Sequence, residues 1–200
     1  MHVQEIKTYF YHMKTPFYYA HHIGVFVFLM IVPFITKGQH FVPSAKNSQV
    51  EFRVYNHKEG MNLVRGLFPD INGSIFFDPK HLATASFDVS VNPASISTAN
   101  TRRDEDLVSA NFLSAVHYPE IRIKSNSVTT DGGVIYMLHG TLVMKGITKP
   151  VNIQFTATPI KSGYLFRGSF QLNRLLYHVG EQGDIDNTVT VFIEIRTERG

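Results

Sequence analysis

From residue 39 onward the chain alternates apolar and polar positions with a period of two, the signature of strands with one dry and one wet face. Val50, Phe52 and Val54 alternate with Glu51 and Arg53. Phe87, Val89 and Val91 alternate with Asp88 and Ser90, and Ile121 and Ile123 with Arg122 and Lys124. The pattern returns at Val151, Ile153, Phe155 and Ala157, and again at Val189, Val191, Ile193 and Ile195. Turn chemistry separates the runs: Asn72-Gly73, Asp78-Pro79, Asp131-Gly132-Gly133, Lys161-Ser162-Gly163 and Gly180 to Asp184. Asn72-Gly73-Ser74 also fits a glycosylation acceptor, but Asn-Gly between two apolar runs reads first as a hairpin turn. Lys145-Gly146 reads as a tight hairpin whose lysines keep the turn from associating with a neighbour.

One segment departs from this period. Thr101 to Leu113 has acidic residues early, and Leu107, Val108, Phe112 and Leu113 fall on one face of a short helix capped by Asn100 or Thr101. Its dry side needs a seat, and the mouth of a barrel or the gap between two sheets would supply one.

About eight or nine strands of this kind must hide their dry faces, either as two stacked sheets or as one sheet curled on itself. Closure removes the exposed edges, so the expectation is an all-β, antiparallel, eight-stranded lipocalin-like barrel with one short helix. Large inward residues alternate with Gly66, Gly140 and Gly168, which either leave space or mark barrel corners, the corner being the simpler reading. The inward positions expected to line a ligand cavity are Phe52, Val54, Val64, Phe68, Phe87, Val89, Ile121, Ile123, Leu138, Leu142, Phe155, Phe166, Phe170, Val191 and Ile193.

A different segment precedes this domain. Ile23 to Ile35 is an uninterrupted apolar run, preceded by Lys14, His21 and His22 and followed by Thr36-Lys37-Gly38. That is the layout of a signal peptide cleaved before Gln39, with translation starting at Met1 or Met13. Residues 1–38 are therefore read as the signal peptide and 39–200 as one domain, periplasmic or secreted. An uncleaved leader would act instead as a membrane anchor.

Composition narrows the function. Of 200 residues, 44% are hydrophobic, and 16 Phe and 9 Tyr supply material for an apolar interior. The absence of Cys removes disulfides, thiolate metal sites and thiol nucleophiles. The net charge of +3 comes largely from Lys7, Lys14 and Lys37 of the leader, so the domain is close to neutral and lacks the basic footprint of a nucleic-acid binder. The histidines show no metal-binding spacing, and no nucleophile elbow, phosphate loop or dinucleotide fingerprint occurs. Arg102, Arg103, Asp104, Glu105 and Asp106 read as a solvated first helical turn, with recognition of a phosphate or quinone headgroup as the alternative.

Longer landmarks stand in order: SQVEFRV (Ser48 to Val54), VRGLFPDINGSIFFDP (Val64 to Pro79), the stretch Ser86 to Ser125, LHGTLVMKGITKPV (Leu138 to Val151) and FQLNRLLYHVG (Phe170 to Gly180). Ser95, Asn100, Arg103, Asp104, Leu107, Phe112, Tyr118 and Pro119 form the most specific part. Over about residues 41–197 the chain resembles the YceI-like family of polyisoprenoid-binding proteins. The resemblance implies an exported, non-enzymatic barrel housing a hydrophobic lipid, either a polyprenyl lipid or the tail of an isoprenoid quinone, with no protein-bound metal or redox cofactor. It also implies that Arg103 and Asp104 fasten the helix to the barrel. Two places depart from the family pattern: Asn56-His57-Lys58-Glu59-Gly60 replaces a hydrophobic segment, and Tyr177-His178 replaces a more typical acidic or aromatic-plus-Gly pair, both expected near the rim.

Contact with a membrane is then transient, or through an uncleaved leader, and a homodimer is compatible with the sequence. Two other classes stay open. An enzyme acting in the same cavity would need an inward nucleophile or base, for which Ser97, His117 and Tyr177 are the candidates. A filled barrel would act only as an interaction module, and a cavity of several hundred Å³ separates it from a carrier.

Overall fold

The protein is described by a computed structural model covering residues 39–58 and 60–200. The expected leader, its cleavage point and the choice of start codon lie outside the described residues.

The period-two runs fold into ten antiparallel strand segments. They are β1 (Gln39–Pro43), β2 (Gln49–Asn56), β3 (Asn62–Phe68), β4 (Ile71–Phe77), β5 (Ser86–Val91), β6 (Ile121–Thr130), β7 (Ile135–Met144), β8 (Ile147–Ile160), β9 (Gly163–Asn173) and β10 (Thr188–Arg199). Gln39 pairs with Phe77 and Phe41 with Ile75, while Val50 pairs with Phe68 and Asn56 with Asn62. The two registers differ by only two residues. β1 and β2 are thus two halves of one interrupted strand, and β3 and β4 are halves of its neighbour. β10 closes the ring by pairing with both β1 and β2. Ten segments therefore make an eight-stranded closed meander.

This arrangement corrects one expectation. Asn72-Gly73 is not a hairpin turn but lies inside β4, where Asn72 pairs with Ser90 and Gly73 with Val89. A Cβ on Gly73 would run into the Asp88 carbonyl, so the glycine serves the close approach of β5. The chain bends, without reversing, at Pro69-Asp70. By contrast, Lys145 (φ 51°) and Gly146 (φ 74°) do form the expected tight hairpin, with the two positive φ values of a type I′ turn. Lys145 is not a solvent shield there, because its Nζ donates to the His178 carbonyl at 2.7 Å.

Where the ladder is interrupted, hydroxyl groups splice it. Ser48 Oγ accepts from the Arg196 amide and donates to its carbonyl, each at 3.1 Å. Thr197, fully buried, does the same for the amide and carbonyl of Tyr164. Ser125, at the β6 bulge, accepts from the Phe87 amide at 2.8 Å. Each hydroxyl supplies the partner that a backbone group has lost, and among the described residues no buried side-chain nitrogen or oxygen lacks a partner.

One end of the barrel is packed with rings. Phe77 meets Tyr164 at 5.1 Å, Phe166 at 5.2 Å and Tyr136 at 5.3 Å between centroids, all edge to face. Phe41, Phe87 and Phe155 complete this plug. The strand ends opposite carry the long connections: residues 57–61, 92–120 and 174–187.

The helix α1 (Thr101–Val108) is shorter than its expected span, ending at Ser109, where the backbone turns extended. Leu113 N–H reaches back to the Leu107 carbonyl and Ala115 N–H to that of Val108, which satisfies two of the orphan carbonyls of the last turn. The expected dry face survives this irregularity, because Leu107, Phe112 and Leu113 all still turn inward.

Candidate functional site

The interior above the aromatic plug is hollow. A cavity of about 770 Å³ runs from the middle of the barrel to the end carrying the long connections. This is within the size range of small-molecule sites and argues against a barrel filled by its own side chains. Its wall is the dry faces of β2, β3 and β5 to β10.

Fourteen of the fifteen positions named from the sequence line this space: Phe52, Val54, Val64, Phe68, Phe87, Val89, Ile121, Ile123, Leu138, Leu142, Phe155, Phe170, Val191 and Ile193. Phe166 does not. It points inward, but its height on β9 puts it in the plug, 5.2 Å from both Phe77 and Phe87. Alternation identifies the inward face but not how far along the tube a side chain sits.

Gly66, Gly140 and Gly168 are close-approach positions rather than empty ones. A Cβ on Gly140 would strike the Lys124 carbonyl, and one on Gly168 would lie 2.8 Å from that of Gln154. Gly140 faces the β6 bulge between Ser125 and Ser127, as a corner would, whereas Gly168 lies in regular ladder on the cavity wall.

The segment between β5 and β6 roofs one side of the mouth. Ser97 exchanges two backbone hydrogen bonds with Leu67 of β3, at 2.8 and 2.9 Å, and so anchors the segment on an otherwise open strand. Thr98 then ties down α1. Its amide and hydroxyl donate to Asp104 Oδ1 at 2.8 and 2.6 Å, while Arg103 donates from Nε to Thr98 Oγ1 and from Nη2 to the Thr98 carbonyl. Arg103 and Asp104 therefore fasten the helix. The Asn100 side chain caps it by accepting from the Arg103 amide. Arg102, Glu105 and Asp106 are exposed, as a solvated first turn would have them.

The opposite side of the mouth is built by Arg174, which alternation does not reveal because it lies in a 3₁₀ turn after β9. Only 4% exposed, it donates from Nε to the Asp186 carbonyl, from Nη1 to that of Val179, and from Nη2 to those of Glu181 and Ile185. One guanidinium thus organises the whole 174–187 loop. Burial lowers its pKa from the usual arginine value. The loop is stitched to the β2–β3 hairpin by Asp186 N–H to the Tyr55 carbonyl, His57 N–H to the Asp184 carbonyl, and the His57–Asp186 side-chain pair at 2.8 Å.

Ser97, His117 and Tyr177 do not come together at the cavity. Ser97 and His117 are exposed, the latter beside Ser114, and Tyr177 is 4% exposed in the core, where burial raises its pKa. Tyr177 is accordingly not on the rim, whereas Asn56 and Lys58 are. Val50, Val91, Ile153, Val189 and Ile195 line the space as well, on positions that the same alternation marks as inward, and so do Ile96 and Val179, for which only the folded loops carry the signal.

Comparison with known proteins places this architecture. A family model described as YceI-like domain matches residues 41–197. Protein YceI of Escherichia coli O6:H1 is 36% identical over 118 residues, which are 59% of this chain and 56% of that protein. A UPF0312 protein of Pectobacterium carotovorum is 32% identical over 120 residues, 60% of this chain and 57% of the relative. The match thus spans little more than half the length of these curated relatives. Among solved structures, Burkholderia cenocepacia BcnA superposes with a TM-score of 0.71 at 19% identity, covering 76% of this chain and 98% of that one. A polyisoprenoid binding domain from Saccharophagus degradans implicated in plant cell wall breakdown gives 0.63 at 12% identity, covering 82% and 100%. At such identities the structural likeness carries the fold.

Proposed function

Because the chain belongs to the YceI-like domain family, we propose that it is an exported, non-catalytic carrier that shelters the apolar chain of an isoprenoid-type lipid inside its barrel. The observation that carries this reading is the 770 Å³ cavity, walled by the dry faces of the sheet, stopped at one end by aromatic rings and opening at the other among polar loops. Each methylene moved from water into such a space contributes roughly 0.8 kcal/mol, so a long prenyl chain binds through area with few directional contacts. The guest is a polyprenyl lipid or the tail of an isoprenoid quinone. The solved polyisoprenoid binding domain of the same fold supports this choice of ligand class.

Export follows from the leader reading: residues 1–38 are removed and 39–200 act in the periplasm or outside the cell, meeting membranes only transiently. Fractionation of the producing cells with N-terminal sequencing tests this, the expected first residue being Gln39. Sizing of the loaded and delipidated protein tests for a homodimer.

The decisive experiment is solvent extraction of the purified protein followed by mass spectrometry. About one long-chain isoprenoid per barrel is expected. An extract without such a chain, together with no uptake of an added prenyl alcohol, overturns the reading.

A further inference from the structure

Among the described residues, the charged side chains that border the cavity are mostly basic: Lys58, Arg102, Arg103 and Arg174, with the carboxylate of Asp106. Two of these cations have structural work, Arg103 on Thr98 and Arg174 on four carbonyls, yet neither is paired with an acid. Their acceptors are neutral, so their charge is not cancelled. Of the other described acids of these loops, Asp104 holds Thr98, Asp186 holds His57 and Glu120 accepts from Ser90, while Glu105, Glu181 and Asp184 do not border the cavity.

Lys58 and Arg102 have no structural task. Both are exposed, both border the cavity, and among the described residues neither side chain makes an ion pair or hydrogen bond. Asn56 and Asn100 stand next to them on the same rim. Their Oδ1 atoms are taken by the amides of Lys58 and Arg103, which leaves their Nδ2 groups as donors. Among the described residues the rim thus presents two cations without a side-chain partner and two amide donors: Asn56 and Lys58 at the end of β2 and just beyond it, and Asn100 and Arg102 at the start of α1. Such a set suits an anion with several oxygens, since charge-assisted bonds are about twice as strong as neutral ones. A neutral head would leave the like charges of the rim uncompensated.

Resting on the carrier reading above, we infer that the guest's polar end is a phosphate ester, held at the rim by Lys58 and Arg102, rather than a neutral quinone or alcohol. The apolar tube takes the chain, and the rim selects the head.

The test is titration calorimetry of the delipidated full chain with farnesyl phosphate and with farnesol, which share one chain and differ only in the head. The phosphate is expected to bind roughly tenfold more tightly at low ionic strength, with the advantage shrinking as salt is added. In the Lys58→Gln/Arg102→Gln double variant, the ratio of the two affinities should fall to within about twofold. Both substitutions are at exposed positions, and circular dichroism checks the fold. Equal affinities in the unaltered protein, or an undiminished ratio in the double variant, overturn the headgroup assignment alone. Binding of neither probe overturns the carrier reading and this inference with it. Displacement of farnesyl phosphate by an equal concentration of inorganic phosphate assigns the rim to the free anion and overturns the lipid headgroup.

Discussion

The Phe52 ring lies directly over Gly66, its cross-strand partner, and occupies the space a Cβ there would need. Thr98 crowds the same point, its Cγ2 lying 2.9 Å from that Cβ position. One small residue therefore seats both a wall of the cavity and the segment that carries α1.

Gly66→Ala is expected to push the ring toward the cavity it lines. The cost is about 1–2 kcal/mol, read as a lower urea midpoint, with less lipid recovered per protein. Phe52→Leu in the same chain should return most of the lost stability, because the smaller side chain clears the added methyl.

Occluding the hollow separates carriage from folding. Ile193→Trp adds apolar volume to a space that the chain leaves open, so stability should stay within about 1 kcal/mol of the unaltered protein. Extraction and mass spectrometry should find the bound lipid strongly reduced. Undiminished loading would place the guest elsewhere.

Arg174→Met removes four donors at once and strands the carbonyls of Val179, Glu181, Ile185 and Asp186. A loss of about 2–4 kcal/mol is expected. Arg174→Lys should recover little, because three donors on a compact ammonium cannot reproduce the planar fork. Hydrogen exchange checks the cause: amides of residues 180–187 should lose protection before those of β9 and β10.

Acid sensitivity has a nameable source on the outer wall. Arg122 holds Asp88 through two bonds of 2.6 Å and keeps its carboxyl below the usual aspartate range. A carboxyl depressed in the folded state adds stability above its unfolded pKa of about 3.9, and that stability fades as pH falls through the folded value. Melting temperature should therefore decline below about pH 4, and Asp88→Asn should flatten part of that decline. The pair is partly exposed, so its share is a fraction of 1 kcal/mol.

Much of the cavity was legible along the chain. Val54, Val64, Val89, Ile123 and Val191 sit on dry faces that alternation alone identifies, and a barrel turns every such face inward. The rim was less legible. Arg102 reads along the chain as part of a solvated first turn, Lys58 stands out only as part of a segment that departs from the family pattern, and Arg174 has no periodic neighbour to betray it.

What the sequence determined by itself is which side of each strand is dry, and hence that the sheet must close around an apolar interior. That information is local, written in the spacing of neighbouring residues. Only the tertiary structure decided that Phe166 belongs to the plug while Phe170 faces open space, that Asn72-Gly73 runs inside a strand, and that the helix stops at Val108. Those outcomes depend on register and on contacts between residues far apart in the chain. The height of a side chain in the tube, and the charge collected at its mouth, are set by where each strand meets its partner.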